Sequence, residues 1–144
     1  MEEACPLTNP ATGSEQDAVK AILCMKRIAV VGMSSDPFKA GHYVPKSLQE
    51  RGREIIPVNP NYDDIEGVKC YSSLAEAPGP IDAVLVFRRP EHCGQVAKDA
   101  AAAKAKGLWL QSGIVSKEAR ETARQAGMWY VESRCMMVEA MRAG

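Results

Sequence analysis

Apolar residues fall in short blocks along this chain, separated by longer stretches with helical spacing. Arg27-Ile28-Ala29-Val30-Val31-Gly32 is the first block. It is too short for a helix, rich in β-branched residues and closed by glycine, so it predicts a buried strand. Glu54-Ile55-Ile56-Pro57-Val58 predicts a second, broken at Asn59-Pro60. Asp82-Ala83-Val84-Leu85-Val86-Phe87 is the clearest strand, followed by Leu108-Trp109-Leu110-Gln111 and Trp129-Tyr130-Val131-Glu132. A shorter strand is expected near Val68–Tyr71 and a helical turn at 73–77.

Helices are predicted between these blocks. Ser14 caps one over 15–25, with Asp17 at the capping-box position and Val19, Ile22 and Leu23 on one face. A second covers 42–51 and stops at Gly52; it accommodates Pro45 only if that residue lies in the first turn. A third, over 91–106, carries Cys93, Val96, Ala97 and Ala100 at helical spacing and ends at Gly107. Ser116 caps a fourth, bearing Ala119, Ala123 and Ala126 and closed by Gly127, and 136–142 forms a short last helix.

Continuous apolar strands are buried on both faces, and strands alternating with helices make a parallel sheet covered on both sides. With right-handed crossovers the expected architecture is α/β: a single Rossmann-like doubly wound domain over 15–144, with about five strands in a mainly parallel sheet. Residues 1–14, rich in Pro, Thr, Asn and Gly, read as a mobile N-terminal arm.

Composition narrows the function. The 144 residues fit one domain, with 46% apolar and 25% charged residues. Formal net charge is zero, so no global field collects nucleic acid or anionic lipid, and any phosphate site must be local. Five cysteines without a CxxC pair read as reduced thiols. No apolar run approaches the ~18 residues of a membrane span. The acidic start, Met1-Glu2-Glu3-Ala4-Cys5-Pro6, lacks the basic region of a signal peptide, and a cytoplasmic protein is expected.

In an open parallel sheet, ligands bind beyond the carboxyl ends of the strands, where strand order reverses. That rule selects loops 32–41, 59–63, 87–92, 111–116 and 132–136. In the first, Gly32 allows a sharp turn and close approach to a phosphate, while Ser34 and Ser35 offer hydroxyls and amides before a helix N-terminus. The same loop also reads as a tight Ser-Asp-Pro turn. The chain lacks a GxGxxG run and presents Asn59-Pro60 where an NAD site needs an acidic residue. Arg88 and Arg89, between Phe87 and Pro90, are suited to bidentate phosphate contact or to a structural ion pair. Gln111 can meet an adenine edge or cap local backbone. Cys135 reads as a thiol beside the ligand or as a small buried hydrophobe. His42 and His92 have no metal-ligand spacing and read as surface or capping residues, so no metal is expected.

Five stretches carry a family resemblance: Ile28-Ala29-Val30-Val31-Gly32-Met33-Ser34-Ser35, Ile56-Pro57-Val58-Asn59-Pro60, Val86-Phe87-Arg88-Arg89-Pro90, Trp109-Leu110-Gln111-Ser112-Gly113-Ile114 and Arg134-Cys135. In this order and spacing, residues 27–144 resemble the stand-alone CoA-binding domain proteins, related to the nucleotide-binding domain of the succinyl-CoA synthetase α subunit. The resemblance implies a Rossmann-like fold that binds coenzyme A or an acyl-CoA. Met33, Ser34, Ser35 and Asp36 match its first phosphate loop. Arg53 matches a basic position that contacts nucleotide phosphates, occupied by lysine in the synthetase. Leu110, Gln111 and Ser112 match the segment lying against the cofactor. Lys39, Arg53, Arg88 and Arg89 are the cations expected to meet its phosphates.

The synthetase also needs a phosphohistidine domain and a partner subunit with a nucleotide-grasping fold, and ligase activity is not expected here. The leading reading is a non-catalytic CoA-binding module with no catalytic residues. The alternatives are an NAD(P)- or other nucleotide-dependent enzyme, and thiol exchange with CoA through Cys135, whose pKa Arg134 would lower. Met136, Met137 and Met141 would cover the sheet or a partner, which leaves a homodimer open.

Overall fold

In the computed structural model, which describes residues 9–143, the five apolar blocks become the strands of one parallel sheet. They are β1 (Arg27–Val31), β2 (Glu54–Val58), β5 (Ala83–Val86), β6 (Gly107–Leu110) and β7 (Trp129–Val131). A small hairpin of β3 (Asp64–Ile65) and β4 (Val68–Lys69) follows β2. The helices are α1 (Glu15–Leu23), α2 (Ala40–Glu50), α3 (Pro90–Ala102), α4 (Lys117–Ala126) and α5 (Met136–Ala143). No described helix is long and apolar enough to cross a membrane.

The sheet order is β2-β1-β5-β6-β7 with every pair parallel, the Rossmann-like, doubly wound arrangement expected from the alternation. Neighbouring residues on each strand point to opposite faces. Ile28, Val30, Leu85, Trp109 and Val131 therefore pack with Val19 and Ile22 of α1, Val44 and Leu48 of α2 and Met136 of α5. Ala29, Val31, Val84, Val86, Leu108 and Leu110 pack with Cys93, Val96 and Ala97 of α3 and Ala119 and Ala123 of α4. Each fully buried Leu, Ile or Val contributes about 1.5–3 kcal/mol of transfer free energy. Trp109 is fully buried and donates its Nε1–H to the Arg134 carbonyl at 2.7 Å, tying β6 to the segment that enters α5.

The amino edge of the sheet is closed by hydrogen bonds centred on Asp82. Its carboxylate accepts the backbone N–H groups of Lys26 and Arg27 at 3.3 and 3.0 Å. Its own N–H donates to the Arg27 carbonyl, and its carbonyl accepts from Lys106 and Gly107. The Lys26 carbonyl accepts from Glu54, and that of Lys106 from Trp129. All five strands are therefore tied at one end.

Local signals held where the chain decides them locally. Ser14 and Asp17 form the capping box of α1, and Ser116 Oγ accepts the Ala119 N–H to start α4. Four details differ. The short strand near Val68–Tyr71 does not join the main sheet as a strand. Glu66 (φ 52°) and Gly67 (φ 83°) make a two-residue turn that folds β4 antiparallel onto β3. Only Tyr71 reaches the sheet, through a single bridge to Val58. The third helix ends at Ala102, with Lys104 taking the left-handed turn at φ 62°. Gly107 instead opens β6, because a Cβ there would lie 2.7 Å from the Ile22 side chain. Ala126 is exposed rather than on the buried stripe of α4. Finally, α2 begins at Ala40, so Pro45 lies inside the helix and not in its first turn. Of the N-terminal arm, residues 1–8 (with Cys5) lie outside the described residues. Asn9 accepts the N–H groups of Thr12 and Gly13, and Gly13 packs against the ring of Trp129.

Candidate functional site

Strand β1 leads through α2 to β2 on one side, and β5 lies on its other side, so chain direction diverges at the carboxyl end of β1. The loops after β1 and β5 meet there. Gly32 is the point of contact. Its φ is 89°, and a Cβ would lie 2.6 Å from the Phe87 carbonyl oxygen and 3.2 Å from Arg88 Cδ. Only glycine meets both demands. Its N–H donates to the Val58 carbonyl, joining the end of β2 to the same point.

The β1–α2 loop is fixed mainly by its own backbone. Ser34 N–H donates to the Gly41 carbonyl at 3.1 Å. Asp36 N–H donates to Ser34 Oγ, and Phe38 N–H to Asp36 Oδ1, both at 3.0 Å. Asn59 Nδ2 donates to the Met33 carbonyl at 2.9 Å, and Asn59 Oδ1 accepts the Asn61 N–H. A Cβ on Gly41 would come within 3.2 Å of the Gly32 carbonyl oxygen, so this second glycine lets α2 close tightly onto the end of β1. The Asp36 turn leaves Phe38 90% exposed beside Lys39, the N-cap residue of α2.

Arg88 is half-buried over Gly32, whereas Arg89 and Pro90 are exposed at the start of α3, with Pro90 in the first turn. Cys93 directs its thiol to the carbonyls of Arg88 and Arg89, at 3.7 and 3.5 Å. Burial pushes that thiol up from its ordinary pKa. A cleft of about 220 Å³ opens beside these residues, between the ends of β1 and β2 and the first turns of α3. Val31, Val58, Pro60, Arg88 and His92 line it. Two other hollows, one along edge strand β7 at Pro10–Trp129 and one at Lys104–Lys106, lie away from this chemistry.

The structure brings together Gly32, Ser34, Ser35, Asp36, Lys39, Asn59, Pro60, Phe87, Arg88, Arg89 and Pro90 from the sequence-derived set. Several of these take part only through backbone. The Met33 side chain is in the core beneath α2. Phe87 packs partly into the same core. Leu110 is fully buried on the opposite face and offers its carbonyl to the Arg134 N–H. Gln111 is buried, and its Oε1 accepts the Met136 N–H at 3.3 Å, starting α5. Ser112 and Gly113 are exposed, and the Gly113 N–H donates to Ser133 Oγ. Cys135 is half-buried against the core, and Arg134 beside it is paired with Glu15 at 2.9 Å and Glu139 at 3.3 Å.

Arg53 does not belong to this group. It precedes β2, at the amino edge of the sheet, and its guanidinium donates to the Leu23 carbonyl at the end of α1. Five residues at ~3.3 Å each put it about 16 Å from the carboxyl end of β2. Its partial burial lowers its pKa, as does Arg51 nearby.

Two residues join the site that sequence reasoning did not place there. Tyr62, in loop 59–63, is held below its ordinary pKa chiefly by the Ser35 hydroxyl, then by the Ser35 amide and Ser34 hydroxyl, with a smaller pull from Lys39. It thus links the β1 and β2 loops. His92, in the first turn of α3, lines the cleft with Arg88. Among the described residues, no three His, Cys, Asp or Glu side chains converge as a metal site.

A family described as "CoA binding domain" matches residues 26–141. The chain is 45% identical over 113 residues to the uncharacterized protein YneT of Bacillus subtilis, covering 78% of this chain and 84% of that one. It is 33% identical over 127 residues to the acetate–CoA ligase [ADP-forming] I subunit alpha of Pyrococcus furiosus, covering 77% of this chain but 28% of the relative. The fold superposes with a TM-score of 0.84 on a hypothetical protein from Pyrococcus horikoshii OT3 at 36% identity, covering 99% and 98% of the two chains.

Proposed function

This chain belongs to the CoA-binding domain family, and on that premise we propose that it binds coenzyme A or an acyl-CoA at the carboxyl ends of β1 and β5, without catalysing a reaction by itself. The observation that carries the reading is the meeting of Gly32 with the Phe87–Arg88 segment inside the matched region. The space a Cβ would need at Gly32 is taken by the Phe87 carbonyl, so the glycine brings the two loops together, and Arg88, Arg89 and Lys39 stand on those loops. The ligand carries a diphosphate and a 3′-phosphate, which call for several cations.

The rival readings gain nothing from the fold. Asn59 stands where an NAD site needs a carboxylate, and its amide is committed to Met33 and Asn61. Arg134, the group that would activate Cys135, is engaged by two carboxylates. Cysteines without a disulfide pattern and a CoA ligand together favour the cytoplasm as the site of action.

Thermal-shift and calorimetric titration with CoA, acetyl-CoA, dephospho-CoA, NAD and ATP test the proposal. Tm should rise with CoA, by mass action on the folded state, and less with dephospho-CoA. Arg88→Ala should weaken CoA at least ~10-fold, the worth of one charge-assisted contact. Arg53→Ala should leave affinity unchanged. No response to millimolar CoA would sink the reading, and a response to NAD alone would replace it.

A further inference from the structure

Pro45 interrupts the hydrogen bonding of α2 at one point. In an uninterrupted helix, residue 45 would donate its N–H to the carbonyl of Gly41, four residues earlier. Proline has no N–H, so the Gly41 carbonyl lacks its helical partner. That same carbonyl accepts the N–H of Ser34, at 3.1 Å. The donor comes from the loop and not from the helix. A proline inside a helix costs stability, yet here the group it frees binds the residue at the centre of the ligand loop.

The effect extends along the loop. Ser34 Oγ holds the Asp36 N–H, and Asp36 in turn holds Phe38 and, through its carbonyl, Lys39. On the other side of the turn, Asn59 holds the Met33 carbonyl. Residues 33 and 34 are thus gripped from two directions, by the end of β2 and by the first turns of α2. Gly41 lets that grip close, since any Cβ would press on the Gly32 carbonyl at 3.2 Å.

We infer that Pro45 is a positioning residue for the ligand loop: by leaving the Gly41 carbonyl free of a helical donor, it reserves that carbonyl for Ser34 and presets the loop for its ligand. The inference rests on the CoA reading for the identity of the ligand, but the coupling between residue 45 and Ser34 stands on geometry alone. Replacing Pro45 by a residue with an N–H sets up a competitor for the Gly41 carbonyl. The helix gains a bond and the loop loses one. Pro45 is itself buried, so its replacement by alanine also gives up packing, and the readout that a merely structural proline would not move is a local one, the protection of the Ser34 amide relative to the core amides.

The experiment compares wild type with Pro45→Ala in two measurements: hydrogen exchange of the Ser34 and core amides, and CoA affinity by calorimetry. Pro45→Ala should lose protection at Ser34 by at least about tenfold more than at the core amides, and bind CoA about 3- to 10-fold more weakly, because a loop not preset must be ordered on binding. Unchanged Ser34 protection overturns the inference whatever happens to affinity. Unchanged affinity in a variant whose Ser34 has lost protection overturns the role in binding. A loss of protection at Ser34 no larger than that of the core amides also overturns it, because it would report only the packing lost with the buried ring. If wild type itself does not bind CoA, the proposed function fails, and Ser34 exchange alone decides the inference.

Discussion

Replacing Gly32 by alanine tests the contact on which the site depends. Two costs are involved. A non-glycine residue at φ 89° carries strain of about 1–2 kcal/mol. The new Cβ would also lie 2.6 Å from the Phe87 carbonyl oxygen, closer than real Cβ atoms approach. That oxygen is backbone, in a loop held by the Phe87 N–H to Val31 carbonyl bond, so relief requires the ends of β1 and β5 to separate. Overpacking of this kind costs about 1–3 kcal/mol more. Gly113 provides the comparison. Its φ is 81°, but a Cβ there meets nothing within 4 Å, so Gly113→Ala carries the strain without the clash. The entropy that alanine removes from the unfolded chain is common to both and cancels. Urea denaturation at constant m-value should therefore give Gly32→Ala a loss of about 2–5 kcal/mol and Gly113→Ala about 1–2 kcal/mol. The larger loss corresponds to roughly 6–15 °C in Tm for a domain of this size. CoA affinity should fall for Gly32→Ala in proportion to the opened turn. Losses for the two variants within ~0.5 kcal/mol of each other would refute the reasoning, since the close approach would then carry no energy.

Two further measurements follow. Trp109→Phe keeps an aromatic ring in the core but strips the Arg134 carbonyl of its 2.7 Å donor, and it should cost about 2–4 kcal/mol in urea denaturation, partly lost volume and partly an unpaired carbonyl. Tyr130 is pushed above its ordinary pKa, first by burial and then by its bond to Glu132. Above about pH 10 the unfolded phenol ionises while the folded one keeps its proton. The folded state then binds more protons, so stability falls as pH rises beyond that point and is fully present below it. Denaturation at pH 9 and 11 should show this decline, and Tyr130→Phe should reduce it; an identical decline in the variant would remove Tyr130 as its source.

The layered architecture was legible because each strand is a short, mainly apolar block, and α1 and α4 carry local start signals. Ser14 with Asp17, and Ser116, needed nothing beyond three residues of context. The site was legible to the level of loops, because strand direction alone selects the carboxyl edge. Individual side chains were less so. Arg53 was assigned to the phosphates by position in a motif, but it opens a strand, and strand polarity puts it at the far edge. Leu110 and Met33 continue apolar patterns, and alternation sends their side chains into the core while only their backbone borders the loops. Gln111 accepts a backbone N–H, but from Met136, 25 positions on, which local sequence does not reveal. Tyr62 escaped notice because no periodicity marks a loop tyrosine, and His92 was read as a surface or capping residue because a sequence does not show which side of the first turn of α3 faces the cleft. Gly107 misled because glycine ends helices and also permits tight packing, and only the neighbouring Ile22 distinguishes the two.

The bonds around Asp82 have a consequence for how such a domain can change over time. They gather the holding of the sheet at one edge, using two backbone donors from a segment some fifty-five positions earlier and two from one about twenty-four later. The opposite edge, where the loops carry the chemistry, is tied as well, but through main-chain groups: Gly32 to Val58, Phe87 to Val31 and Gln111 to Val86. New side chains can accumulate on those loops with these bonds intact, whereas a change at Asp82 removes the one carboxylate that grips the Lys26–Arg27 segment entering β1. A designer seeking a new specificity on this scaffold would keep Asp82 and the main-chain bonds at the strand ends, and diversify the loop side chains beyond them.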